Sequence, residues 1–219
     1  MKRYLPIDLP GLFYIKINQR LNKKEYSRLC RELLKKRYSV VNATRSLELF
    51  DEDELQIPDG VRVIWMHDIE SPSDNWLAEE IAEVEADYGF ASTHNIRTFC
   101  IMNEELIKPL KHIVKLGGEI GYQYEDLVAT KGDTKAARKL FGQNLEAIRK
   151  IFPKVTTAFA HGVWLSGING IDQFKVNGKW KPAYWQKYGI HKNGEFYYFM
   201  DLLRAKYGEK FYYIIEDSC

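Results

Sequence analysis

Three short runs carry residues able to do acid–base or metal chemistry, and each closes a β-rich stretch. The first is Trp65-Met66-His67-Asp68-Ile69-Glu70. A period of two puts Ile64, Met66, Asp68 and Glu70 on one face and Val63, Trp65 and His67 on the other, so two carboxylates converge. Such a pair supplies charge and hard oxygen donors, suited to holding a metal or to dividing the duties of base and ligand. It would equally cap the amides of residues 71–75 or pair with a lysine. The second run is Glu119-Ile120-Gly121-Tyr122-Gln123-Tyr124-Glu125, in which Glu119, Gly121, Gln123 and Glu125 share a face. Gly121 leaves room for something bulky. Gln123 offers an amide oxygen and two amide protons, able to orient a substrate acyl group or to be satisfied within a core. The third run, Phe159-Ala160-His161-Gly162, sets His161 at a strand tip, a position open to a catalytic or a structural role. His112 falls on a helix and faces solvent, while spacing does not place His94 or His191. No GxGxxG, P-loop, HExxH or GxSxG pattern occurs, which removes the main support for dinucleotide, nucleoside-triphosphate, zincin and serine-hydrolase chemistry.

The elements that must position these runs alternate between the two hydrophobic periods from residue 12 to about 159. A strand over 12–17 precedes a helix whose face is Tyr26, Leu29, Cys30, Leu33 and Leu34; a strand over 38–41 follows. The acidic stretch 48–60 ends in the turn Pro58-Asp59-Gly60 and leads into a strand over 61–68. Ser73 is placed to cap a helix reaching Tyr88, with Gly89 ending it. A strand over 91–96, a helix over 107–116 with Pro109 near its first turn, and a strand over 119–125 come next. Asp133 caps a long amphipathic helix stopped by Pro153, and a strand over 155–160 closes the series. Beyond it only 196–207 and 211–215 look regular. Half of the thirty aromatic residues lie in 159–219, where most close the core, while Trp164 and Trp180 stand in polar loops and suit stacking on a sugar ring. This is an α/β pattern with a mainly parallel sheet, and ligands in such sheets gather beyond the carboxyl ends of the strands.

The composition agrees: 219 residues, 45% hydrophobic and 28% charged, suffice for a buried core and exclude a disordered or collagen-like chain. Thirty-two Lys and Arg against thirty Asp and Glu give a net charge of +2, too balanced to hold a nucleic acid by its phosphates alone. Cys30, Cys100 and Cys219 are too few and too scattered for a disulfide framework or a cysteine zinc site, which suits a reducing cytoplasm. Pro6, Asp8 and Pro10 interrupt what would be a signal sequence after Met-Lys-Arg, and no segment has the length of a membrane span.

The order and spacing of the three runs resemble the polysaccharide deacetylase (NodB-homology) superfamily, specifically a branch in surface-polysaccharide gene clusters whose first motif reads His-Asp-Val-Asp. Here it is His67-Asp68-Ile69-Glu70, with Ala82-Glu83-Val84-Glu85 and Gly89 after it. Residues 116–125 look like the family's Leu-Gly-His-Glu-Ile-Gly-Leu-His-Tyr segment, and His161-Gly162 followed by Leu165-Ser166-Gly167-Ile168-Asn169 is similar to a third. The likeness spans residues 26–218. It implies an α/β fold, a distorted (β/α) barrel of about seven strands, mainly parallel, forming one domain over 1–219 with a short, aromatic-rich, irregular part at 162–219.

The implied chemistry is removal of an acyl group from an amino sugar or sugar-linked intermediate in surface-polysaccharide metabolism, with a divalent metal polarising the carbonyl. Asp68 would be the base and His161 the acid or a third metal ligand. Glu70 and Gln123 would be weak ligands for zinc, cobalt or iron, and Glu125, Trp164 and His67 would contact substrate. Gln123 stands where the family's metal-binding histidine belongs, Gly118 where its first histidine belongs, and Met66 and Ala160 where arginines are frequent. The sequence ends at Asp217-Ser218-Cys219, before the family's histidine general acid, so His161 or His94 would have to substitute. The alternative is a catalytically silent sugar- or partner-binding member without metal. A metal-free hydrolase pairing Asp68 with Glu70 or Glu125 is a third reading. Both homo-oligomeric and monomeric states stay open.

Overall fold

The structure is a computed structural model describing residues 13–17, 23–35, 37–53, 62–161, 167–207 and 212–218, with 13–17, 62 and 212–218 as backbone alone. Strands and helices alternate as the periodicity predicts. Strand β1 (Phe13–Ile17) is followed by α1 (Lys23–Lys35), whose Tyr26, Leu29, Cys30 and Leu33 are buried, and by β2 (Ser39–Val41). The start of the acidic stretch is helical rather than irregular. Asn42 accepts a hydrogen bond from the Arg45 amide and starts α2 (Ala43–Asp51), which buries Leu47 and Leu49.

Strand β3 (Arg62–Asp68) leads to α3 (Asp74–Asp87). Ser73 makes no capping bond there; its hydroxyl pairs with that of Ser71 at 2.8 Å. After β4 (Thr93–Ile96) and a 3₁₀ turn, α4 (Glu104–Lys115) begins three residues earlier than its apolar pattern predicts, because the Asn103 side chain accepts from the Leu106 amide at 3.0 Å. Strand β5 (Glu119–Tyr124), short α5 (Asp126–Ala129), α6 (Thr134–Arg149) and β6 (Ala158–Ala160) complete the alternation. Asp133 caps α6 as its sequence position predicts, accepting from the amides of Lys135 and Ala136.

The C-terminal part holds more structure than its sequence suggests. Asn177 and Gly178, at φ 50° and 73°, turn a small antiparallel hairpin of β7 (Lys175–Val176) and β8 (Lys179–Trp180). Short α7 (Ala183–Gln186), α8 (Phe196–Tyr207) and β9 (Tyr212–Ser218) follow. Trp180 is packed: its ring lies edge-on to Trp185 and Tyr198, Lys175 sits over it at 4.3 Å, and its indole donates to Asp201 at 2.8 Å.

The main sheet runs β1-β9-β3-β4-β5-β6, with β2 beside the first half of β3, and every pairing in it is parallel. Among the described residues β1 and β6 are edges, so these strands curl without closing into a ring. Partners in a parallel ladder point the same way, which sorts the strand residues into two layers. Val63, Trp65, His67, Ile96, Ile120, Tyr122 and Tyr124 face α1, α3, α4 and α6, where the larger core lies. Ile64, Met66, Asp68, Asn95, Gly121, Gln123 and Phe159 face the other way, and α2 and α8 cover the lower part of that face with Leu47, Leu49, Phe196, Phe199 and Leu203. Among the described residues no helix is long and apolar enough to cross a membrane.

Candidate functional site

The carboxyl ends of β3, β4, β5 and β6 bring together five of the residues singled out in the sequence. Asp68 ends β3 at 3% exposure, where the side chain of Asn95, its ladder partner on β4, donates to it at 3.0 Å. Two residues on, Glu70 is hydrogen-bonded to an imidazole: its Oε2 lies 2.9 Å from His161 Nε2, bridging the ends of β3 and β6. The other ring nitrogen, Nδ1, is buried without a hydrogen bond and stands 3.4 Å from Glu125 Oε2. Glu125 is in turn paired with the Arg97 guanidinium, which extends from the end of β4 and lies 4.8 Å from the centroid of the Phe99 ring. His161 thus sits between two carboxylates, hydrogen-bonded to Glu70 and within ion-pair distance of Glu125.

These charges act on one another. The bonded His161 imidazole holds the Glu70 carboxyl below its usual value against partial burial, with attraction from Arg97 assisting and the Gln123 amide, off hydrogen-bond geometry, adding least. Burial, helped by the nearby Asp68 charge, pushes the Tyr197 phenol up to about 12, which sets the first turn of α8 beside Asp68. Gln123 is 1% exposed, and among the described residues neither its amide oxygen nor its amide nitrogen has a hydrogen-bond partner. Buried polar groups are rarely left so, since each costs about 1–3 kcal/mol unpaired.

The metal implied by the family resemblance does not fit here. Glu70 is engaged with His161 and Glu125 with Arg97, Gln123 supplies a neutral amide, and among the described residues no three carboxylate, imidazole or thiolate donors converge at this end of the sheet. Trp164 lies outside the described residues. Asn95, Arg97 and Tyr197 were not singled out in the sequence, although Asn95 and Arg97 end β4 at the level where Asp68 and Glu70 end β3.

His67 is not at this site. It follows the period of two to the opposite layer, where it is completely buried, because the neighbouring Trp65 and the α1–α3 face leave no path to the sheet end. There His67 Nε2 meets Glu85 Oε1 at 2.9 Å, and His94 Nε2 stands 3.9 Å from Glu85 Oε2. Tyr26 and Ser92 hydroxyls donate to the same carboxylate at 2.6 and 2.5 Å. Burial raises the Glu85 carboxyl, but attraction and hydrogen bonding from His67, with His94 and Ser92 behind, carry it below its usual value. Burial and the proximity of His67 push His94 down to about 3. The donor atoms of His67, Glu85 and His94 all lie within 4.8 Å of one another and could hold a metal ion. The remaining histidines are surface pairs, His112 with Glu79 and His191 with Asp51.

No protein-family model matches this sequence, and no curated protein matches it. Among solved structures, the crystal structure of lysine decarboxylase from Selenomonas ruminantium is similar at a TM-score of 0.21 and 13% identity, over 91% of this chain and 66% of that one, so this chain spans slightly under two thirds of its length. A superposition that loose carries nothing about fold or activity.

Proposed function

We propose that the sheet-end cluster binds an acylated amino sugar, or a sugar-linked intermediate, and hydrolyses its acyl group, on a scaffold we read as a distorted (β/α) barrel of about seven strands. The observation that carries this reading is the convergence of Asp68, Glu70, Gln123, Glu125 and His161 around a buried amide without a hydrogen-bond partner among the described residues. An acyl group pairs with such an amide, carbonyl to N–H. Asp68, oriented by Asn95, takes a proton from water as the water oxygen bonds to the acyl carbon. The oxyanion meets the Gln123 amide and the Arg97 charge. As the carbon–nitrogen bond breaks, the proton held between His161 and its flanking carboxylates passes to the leaving amine, yielding a carboxylate and the free amino sugar. Each step uses side chains at the sheet end, and none requires a metal there. The buried free thiols of Cys30 and Cys100 suit a reducing compartment, consistent with a cytoplasmic location.

Acetate release from N-acetylated sugars and nucleotide sugars, followed by NMR with chelator present, tests the reading. Turnover is expected in the wild type, with a loss of roughly 100-fold or more in Asp68→Asn and in His161→Gln. A second reading, a silent sugar-binding protein, is favoured by the same amide and by the lack of three converging donors. It predicts saturable binding of the acylated sugar, lost in Gln123→Leu, with no acetate released by any variant.

A further inference from the structure

The layer opposite the sheet-end cluster holds a second constellation of chemically active groups. Glu85 of α3 is 2% exposed, and among the described residues the basic groups within ion-pair distance of it are His67 and His94, both at 0%. A carboxylate so deep needs a compensating positive charge. Two imidazoles, one carboxylate and two hydroxyls surround one point, and the strands that supply them are adjacent: His67 and His94 are ladder partners on β3 and β4, with ring centroids 4.8 Å apart.

From this geometry we infer that His67, Glu85 and His94 form a buried structural site for one zinc-class dication, tying α1, α3, β3 and β4 together. Nitrogen and oxygen donors at bond lengths of about 2.1 Å in a tetrahedron stand roughly 3.4 Å apart. The separations here straddle that figure: 2.9 Å from His67 to Glu85, 3.9 Å from His94 to Glu85 and 3.4 Å from Tyr26 Oη to His67. An ion entering between Glu85 and the imidazoles would draw to that spacing donor atoms that already lie within 4.8 Å of one another. Ser92 donates to Glu85 Oε2 and so fixes the carboxylate as the outer partner of a metal ligand does, while Tyr26 Oη, which donates to Oε1, is placed to exchange that bond for the fourth position. His94 Nδ1 is buried without a hydrogen-bond partner among the described residues. The ring's other nitrogen, Nε2, is the one turned toward the cluster, 3.1 Å from Ser92 Oγ and 3.9 Å from Glu85 Oε2. The donor set, two imidazoles and one carboxylate, suits zinc and its neighbours and not calcium or magnesium. Full burial leaves no open position for a substrate, so the ion acts on folding rather than in a reaction.

The site is independent of the hydrolase reading, and the test separates them. The full chain is prepared metal-free under mild denaturant, refolded with zinc or cobalt(II), and desalted; metal content, cobalt d–d absorption and thermal midpoint are read. One equivalent, tetrahedral cobalt bands and a raised midpoint are expected in the wild type and in the Asp68→Asn, Glu70→Gln double variant, with at least a tenfold loss of affinity in Glu85→Gln and His94→Gln. If a variant fails to fold, zinc-edge X-ray absorption on the wild type decides, since two imidazole scatterers are expected. No metal in the refolded wild type, or absorption without imidazole scatterers, overturns the inference. So does metal retained by both Glu85→Gln and His94→Gln, or lost in the Asp68, Glu70 variant, which would move the ion to the sheet end.

Discussion

The residue that most separates binding from stability is Gln123. Among the described residues its buried amide has no partner on either side, so Gln123→Leu relieves a desolvation penalty and is expected to raise unfolding free energy by about 1–3 kcal/mol in urea titrations while abolishing sugar binding. A loss of stability would mean the amide is already engaged. Gly121 makes the converse case. A Cβ at that position would collide with Asn95 Oδ1 and stand 3.1 and 3.2 Å from Thr93 and Thr157, so Gly121→Ala must displace the side chain that orients Asp68. A cost of about 1–3 kcal/mol is expected, with turnover falling further than the melting data account for. At this scale the sequence separates His67 from Asp68 correctly through a period of two. It does not pair His67 with Glu85, 18 residues away, or Glu70 with His161, 91 away, because no local pattern encodes which distant side chain arrives.

Elements show a parallel division between end signals and packing. Asp133 is recognisable as the cap of α6, and Asp133→Ala is expected to cost about 1 kcal/mol in thermal or urea unfolding. Helix α8 starts differently: Glu195, fully buried, accepts from the Tyr198 amide at 2.8 Å and the Tyr124 hydroxyl at 2.9 Å, and burial pushes its carboxyl up to about 7. Below the ordinary value of 4.5 both folded and unfolded chains carry the proton; as pH rises from there to about 7 only the folded chain keeps it, so stability falls across that window. Glu195→Gln should remove that decline, gaining up to about 3 kcal/mol over the wild type at pH 8 and nothing at pH 4. Urea unfolding at the two pH values measures it, and an equal gain at both would exclude the titration as cause. Helix α2 escaped the sequence reading because its acidic end resembles a loop and its apolar residues, Leu47 and Leu49, are few.

The molecule as a whole depends on its last described strand. β9 pairs along its full length with β3 on one side and along five residues with β1 on the other, so the sheet's middle is closed by chain that comes last. Ending the chain after Tyr207 strips both ladders at once and is expected to abolish cooperative unfolding by circular dichroism; a truncated protein with an intact transition would place β9 outside the folding unit. The sequence by itself determined what neighbouring residues decide: the alternation of strand and helix, the face each side chain takes, the Asp133 cap, and Asp68, Glu70, Gln123, Glu125 and His161 at strand ends. Periodicity and capping act over a few residues and leave a visible pattern. Only the tertiary structure decided the strand order, the clamping of His161 between two carboxylates, and the meeting of His67, Glu85 and His94 inside the core. Those contacts arise when separate elements pack, and the free energy that selects them belongs to the assembled layers rather than to any one segment.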